Sequence, residues 1–349
     1  MADADHRLSR SGTMAVVESG ARMTSEHHEP IWQPSASLEN LRTRARVLRA
    51  IREFFHERGV LEVETPALSS ATVTDLHLHS LSTSVSVPGR DAALELWLQT
   101  SPEFAMKRLL AAGSGPIYQV CKAFRDLEGG RFHNPEFTML EWYRPGWNHH
   151  ALMDEIDEMT CTVLGVGKAR RLSYGEALSH YGGIDDAYRD GWQTLRKRAM
   201  EQGVADVPDL DCNGWLSLIM TQIVEPAMRH EGPVFIDDFP ADQAALSRVR
   251  EGSPPVAERF ELYIDGVELA NGYHELTDAA EQRRRFDADN RSRAAAGLAV
   301  MPVDNRLLAA LTSGLPMCAG VALGVDRLVM LAAGADTLQD VVAFPVDRA

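Results

Sequence analysis

The sequence has no apolar run long enough to span a bilayer, no cysteine pair at metal-ligand spacing, no HExxH pattern and neither glycine-rich phosphate loop, GxxxxGK[ST] or GxGxxG. Each absence removes a class of function. With no apolar run, and with charges scattered through the opening segment, neither secretion nor membrane insertion is expected, and the chain reads as cytoplasmic. Cys121, Cys161, Cys212 and Cys318 lie far apart, so they read as thiols rather than as a disulfide framework or a zinc site. The histidines at 27–28, 77, 79 and 149–150 read as surface or packing residues. Without a phosphate loop, any nucleotide must be held by side chains and sheet. Basic charge is also short: 35 Lys and Arg stand against 50 Asp and Glu, a formal charge of -15. That balance disfavours loose binding to a polyanion, because phosphate contacts dominate nucleic-acid affinity.

What is present is ordinary globular material, 349 residues of which 45% are hydrophobic, enough for a large core. Residues 1–31 are polar and lack steady periodicity, which reads as a disordered extension without assigned function. Residues 32–349 read as one catalytic domain. Ser37 caps a predicted helix with Leu38, Leu41, Ala45, Leu48, Ile51 and Phe55 on one stripe and Gly59 as its stop. Val60 to Glu64 reads as a strand. LELWLQT alternates as a strand, and Ser101 with Pro102 starts a helix over PEFAMKRLLAAG. Ile117 to Arg125 and Glu136 to Tyr143 read as a long-looped antiparallel hairpin. Helices follow at His149 to Leu164, after Ser173 to Glu176 as a capping box, and at Asn213 to Val224. PVFIDDFP and RFELYIDGVELANGYHEL return to strand, with Asp265-Gly266 as a tight turn. Asp278 to Ala296 reads as an exposed charged helix, and GVALGVDRLVMLAAG as a strand entering a helix that Asp326 caps. Hairpins joined by helices imply an α+β fold with a mainly antiparallel sheet flanked by helices.

The last hairpin allows a geometric argument. A two-residue turn at Asp265-Gly266 sets Tyr263 opposite Glu268 and Glu261 opposite Ala270, so Glu261 and Glu268 become diagonal neighbours roughly 7–8 Å apart. Two carboxylates so placed repel, which suits either a hard divalent cation or a solvated sheet face. Period two then sends Asn271, Tyr273 and Glu275 to the face opposite Glu268. A bulge at Asn271-Gly272 would re-aim them toward the same cleft. Arg125 at a strand end and Arg131 in the following loop suit phosphate or carboxylate, or surface salt bridges. Glu141 and Tyr143 share a face with Phe137 and Met139 that fits core or pocket equally. Arg327 stands just inside the last helix, and Gly320 and Gly324 permit close approach of ligand and backbone.

Three segments, RARVLRAIREFFHERGVLEVETPAL, FRDLEGGRFHNPEFTMLEWY and GVALGVDRLVML, resemble the three motifs of the class II aminoacyl-tRNA synthetases, in the same order. With TSPEFAMKRLL and VELANGYHELTDA the chain is similar to the lysyl-tRNA synthetase catalytic core from about Trp32 onward. No anticodon-binding barrel is expected before the first motif. The shortened form, and IWQPSAS at its start, resemble the bacterial paralogues that join (R)-β-lysine to a lysine of elongation factor P.

That resemblance implies ATP as co-substrate, magnesium on Glu261 and Glu268, a homodimer built on the first motif, and elongation factor P rather than tRNA as acceptor. It places the substrate, (R)-β-lysine or lysine, against Ser101, Pro102, Glu103, Tyr143, Asn271, Tyr273, Glu275 and Ala322. ATP falls to Arg125, Asp126, Leu127, Glu128, Asn134, Glu268, Leu269, Gly324 and Arg327, with Arg125 and Arg327 as the catalytic pair. Ser101 and Ala322 stand where synthetases usually carry Ala and Gly, a methyl-sized change that favours an amine on the β-carbon. The second motif departs from Arg-any-Glu: Asp126 and Leu127 separate Arg125 from Glu128, so either Asp126 or Glu128 serves the adenine amine or that contact is lost. Residual tRNA lysylation and a catalytically silent paralogue are the rival expectations.

Overall fold

The computed structural model describes residues 32–349, and the expected extension over 1–31 lies outside them. The fold below is that of the compact unit Pro34–Ala349. Helix α1 (Leu38–Glu57) starts where Ser37 accepts a hydrogen bond from the Asn40 amide, and stops before Gly59, whose φ is +63°. Of the expected stripe Ile51 and Phe55 are buried, joined by Val47 and Phe54, while Leu38 and Ala45 are exposed. The next strand, β1 (Leu61–Glu62), is shorter than Val60–Glu64. Then come β2 (Leu68–Ser69), β3 (Ser82–Val85), β4 (Leu94–Leu98), α2 (Glu103–Ala111), β5 (Ile117–Phe124) and β6 (Glu136–Pro145). The middle of the chain supplies α3 (His149–Leu164), β7 (Arg170–Ser173), α4 (Tyr174–Gly182), α5 (Trp192–Glu201) and α6 (Cys212–Ile219).

The expected helix over Asn213–Val224 loosens into a π-turn at Met220–Val224 that runs into the short α7 (Glu225–Ala227). Strands β8 (Pro233–Pro240), β9 (Val249–Arg250), β10 (Val256–Ile264) and β11 (Val267–His274) follow, then α8 (Ala279–Ala295), α9 (Asn305–Gly314), β12 (Cys318–Gly324) and α10 (Val325–Ala333). The nine-stranded sheet has the order β1-β5-β6-β12-β11-β10-β8-β7, with β9 paired to β10. Only the β1–β5 and β7–β8 pairs are parallel. The strands β2, β4 and β3 form a separate small sheet. This is the α+β architecture expected.

One face of the large sheet is dry. Leu140, Trp142, Val321, Leu323, Phe260, Leu262 and Ala270 pack there with apolar residues of α1, α3 and α10. Alternation then points Glu141, Tyr143, Ala322, Asn271 and Tyr273 to the opposite face. That face is walled by α2 and α9, where Met106, Leu110, Leu307 and Leu311 cluster with Phe286. Phe286 belongs to α8, whose inner side also buries Gln282 and Arg293, so α8 is not the fully exposed helix its charge suggested. The charged majority faces water while three residues anchor it.

Asp326 does not cap α10. The cap position is Gly324, without a side-chain bond. The buried Asp326 carboxylate instead accepts the Thr138 amide at 2.8 Å and pairs with Arg44 of α1. It ties three elements together, a use that the cap-like position in sequence conceals.

Candidate active site

The turn at Asp265-Gly266 forms with φ of +52° and +74°, and Tyr263 stands opposite Glu268 as expected. The bulge is also present, but it falls at Leu269, not at Asn271-Gly272. Registers jump from Tyr263 opposite Glu268 to Leu262 opposite Ala270, so Glu261 faces Asn271 rather than Ala270. One inserted residue flips the parity of the strand. Glu261, Tyr263, Glu268, Asn271 and Tyr273 therefore share one face. Gly272 serves packing: a Cβ there would lie 2.3 Å from the Phe260 ring.

Gly320 is spaced by protein, not by a ligand. A Cβ on it would lie 2.3 Å from the Tyr143 ring and 2.4 Å from Glu275 Oε1, so its missing side chain lets the two functional groups lean together. At Gly324 a Cβ would meet only Arg327 at ordinary contact distance, 3.6 Å.

At the α2 end of the face, Glu103 and Glu275 converge on a residue that sequence reasoning passed over. The Lys107 ammonium lies 2.6 Å from Glu103 Oε1 and 2.6 Å from Glu275 Oε2, and its side chain is 1% exposed. Glu141, 2% exposed, accepts from Ser101 Oγ and Tyr143 Oη, each at 2.7 Å. Ser101 Oγ in turn accepts the Glu103 amide at 3.0 Å, anchoring the first turn of α2. Ala322 pairs with Glu141 on one side and Asn271 on the other, putting its methyl on the floor of this pocket.

The charge count is unbalanced. Glu103, Glu141 and Glu275 share a single buried ammonium. Burial, then the Glu103 and Glu275 charges, push the Glu141 carboxyl up to about 8, against the help of its two hydroxyl donors. Burial and Glu103 likewise lift Glu275 to about 7 despite Lys107. Burial alone would lower the Lys107 ammonium, but the carboxylates of Glu103 and Glu275 hold it far above its usual range. An arrangement with surplus acid and too few cations can accept further ammonium groups.

The other end of the cleft is more open. Arg125 follows β5, its guanidinium 5.0 Å from the Phe137 ring centroid and 3.4 Å from Glu128 Oε1. Leu127 takes φ +62°, and this left-handed residue absorbs the extra position so that Glu128 returns beside Arg125. Asp126 spends its carboxylate on the Leu127 amide at 2.9 Å. Of the two acids open at the sequence level, Glu128 is the one that reaches Arg125. Asn134 donates to the Glu136 carbonyl and accepts the Val346 amide, holding the loop against the C-terminal segment. Arg131 lies elsewhere, on Asp336.

Arg327 bonds the Glu268 carbonyl at 2.6 Å and His133 Nε2 at 2.8 Å, and lies 3.4 Å from Glu268 Oε2. Glu261 contacts Arg259, Tyr263 and Asn271, while burial raises its pKa. Glu225, absent from the sequence-level reading, joins this pair. Burial and the charges of Glu268 and Glu261 lift it to about 7. Its place at the end of an irregular π-turn gives no sequence signal.

His149 is a packed residue, as expected, buried with Glu258 and His274 behind the sheet. Among the described residues no helix is long and apolar enough to cross a membrane, and the four cysteines are free.

An antiparallel sheet face without a phosphate loop, with arginines at one end and acids at the other, defines an acid-activating synthetase-type site. The chain belongs to the family of class II tRNA synthetases (D, K and N), whose profile matches residues 28–348. Among curated proteins it is 54% identical over 320 residues to an elongation factor P--(R)-beta-lysine ligase of Salmonella arizonae, covering 91% of this chain and 98% of that protein. Ligases of the same name from Salmonella heidelberg and Salmonella agona are each 53% identical over the same shares.

Proposed function

We propose that the chain is an ATP-dependent ligase that activates (R)-β-lysine as an adenylate and transfers it to a lysine ε-amine of elongation factor P. The observation that carries this reading is the buried acid surplus around Lys107. A β-lysine brings a carboxylate and two ammonium groups, and the cleft offers acids at one end and guanidinium groups at the other. Glu275 with Tyr143 takes the terminal ammonium and Glu103 the β-amine, with Glu141 and Asn271 on the floor between them and Tyr273 beside them. Pro102 fixes the turn that aims Glu103, and Ser101 with Ala322 narrows the space an α-amine would need.

Arg125 bridges the substrate carboxylate and the α-phosphate of ATP. A carboxylate oxygen attacks the α-phosphorus, the bond to pyrophosphate breaks, and Arg327 steadies the departing charge; positioning and charge stabilisation suffice for such a step. Glu128, Asn134 and Gly324 line the nucleotide end, whereas the Leu269 side chain lies in the core behind the sheet and only its backbone is left for the nucleotide. Glu261 and Glu268, with Glu225 beside them, fit a hard divalent cation, because burial and the Glu268 charge raise the Glu261 and Glu225 carboxyls and a cation relieves that penalty. Magnesium there supplies neutralisation of the polyphosphate. In the second step the acceptor ε-amine attacks the mixed anhydride, an amide forms, and AMP and a proton leave.

The homologous ligases, matched over 98% of the length of one of them, support the acceptor. The acidic balance of the chain supports a protein acceptor over tRNA. A homodimer through α1 and β1 goes with this reading, and a concentration-independent monomer in sedimentation would contradict it. The direct test is pyrophosphate exchange with (R)-β-lysine and α-lysine, then intact-mass analysis of elongation factor P and a tRNA-charging control. Exchange with addition of one β-lysyl mass to elongation factor P is expected. Charged tRNA without modified protein would favour a synthetase, and no exchange at all would favour a silent paralogue.

A further inference from the structure

Behind the strand that presents Tyr273 and Glu275 lies a second cluster. His274 points to the opposite face of β11, where Glu258 Oε2 is 2.7 Å from its Nδ1. Glu258 reaches that face by the alternation of β10, in which Arg259 pairs with Tyr273 and Phe260 with Gly272, leaving Glu258 beside His274. His149, the first residue of α3, completes the group, its ring centroid 6.2 Å from that of His274 and nearly parallel to it.

Two features separate this cluster from ordinary packing. One donor atom from each of His149, Glu258 and His274 lies within 4.8 Å of the other two. His149 is 2% exposed, yet both its ring nitrogens are buried without a hydrogen-bond partner. Buried polar atoms are otherwise almost always paired. A neutral imidazole carries one N–H and one free lone pair, and in His149 neither meets a protein partner.

We propose that His149, Glu258 and His274 bind a zinc ion. Two neutral imidazoles and one carboxylate are a zinc donor set that leaves a fourth position for water, with bonds of about 2.0–2.2 Å. Tetrahedral geometry spaces such donors about 3.4 Å apart, so side-chain rotations of about 1 Å close the site. Arg248 lies across the entrance, its Nη1 3.5 Å from His274 Nε2 and its Nε 3.5 Å from Glu258 Oε2. Its side chain is 45% exposed and swings into solvent as the ion enters. Because His274 sits between Tyr273 and Glu275, an ion fastening it to α3 fixes the strand that shapes the substrate pocket. The role is structural, so zinc is not a reactant.

The test is zinc content by mass spectrometry on the full chain, after equilibration with zinc chloride and gel filtration, for wild type, His149→Ala and Glu258→Gln. About one zinc per wild-type chain is expected, with a loss of at least tenfold in zinc affinity in each variant. Zinc should also raise the melting temperature of wild type but not of His149→Ala. Cobalt(II) offers a second reading, visible absorption bands in wild type that weaken in both variants. No stoichiometric zinc in wild type, or zinc retained undiminished in both folded variants, would overturn the proposal.

Discussion

The two ends of the cleft solve opposite electrostatic problems. At the α2 end, three acids and one lysine are sealed between α2 and the sheet, and burial lifts the Glu275 and Glu141 carboxyls to about 7 and 8. At the nucleotide end, Arg125 and Arg327 stay partly exposed and hold backbone carbonyls or a single acid. The first region is preassembled and waits for positive charge. The second consists of one fork just past the end of β5 and one in the first turn of α10, both waiting for negative charge. A substrate with ammonium groups at one end and a carboxylate joined to a phosphate at the other satisfies both together.

The largest expected effect tests the sealed end. Lys107→Met leaves Glu103 and Glu275 facing one another without their cation, and removing one partner of a buried pair costs about 3–5 kcal/mol. Denaturant unfolding should show that loss, and an unchanged midpoint would mean that the lysine is not the keystone of the cluster. Arg125→Ala probes the open end. It should lower kcat/KM for pyrophosphate exchange by about 10²–10³-fold, the usual loss when one charge-stabilising donor is removed, while the folding midpoint hardly moves. The contrast itself is the point: one variant loses stability, the other only activity.

A smaller change concerns selectivity. Ala322→Gly restores the space beside an α-amine and should improve α-lysine relative to (R)-β-lysine by about 1–3 kcal/mol, the scale of methyl-sized discrimination. Exchange rates with the two amino acids measure it. The smallest effect is in pH. Raised carboxyl pKa values mean that the free protein keeps protons on Glu141 and Glu275 below about 8 and 7, and ammonium binding needs them ionised. KM for the amino acid should therefore fall as pH rises from 6 to 8.5, by roughly tenfold for one group, which is about 1.4 kcal/mol. Glu141→Gln should flatten that slope.

The same two regions differ in how far they could be read from sequence. Helix α1, the β5–β6 hairpin, the capping box at Ser173 and the Asp265-Gly266 turn follow local rules of periodicity and capping, and they form where those rules put them. The bulge needed to bring Glu268 and Asn271 to one face was legible as a requirement, but its position was not. Gly272 attracted the expectation, whereas its hydrogen side chain makes room for Phe260 and the inserted residue is Leu269. Lys107 was visible as an i,i+4 partner of Glu103, a pairing usually found on wet helix faces. Only the sheet in front of α2 makes it buried. Glu258 and His274 sit on consecutive strands of one hairpin, but His149 joins them only when α3 packs behind the sheet. Long-range pairing of this kind leaves no local trace.

The central claim is that the acid cluster around Lys107 receives the substrate's ammonium groups. Titration calorimetry of (R)-β-lysine at pH 7, in two buffers of different ionisation enthalpy, tests it most directly by counting protons. The account predicts net proton release on binding, reduced in Glu141→Gln. Binding with no release, or with proton uptake, would contradict it.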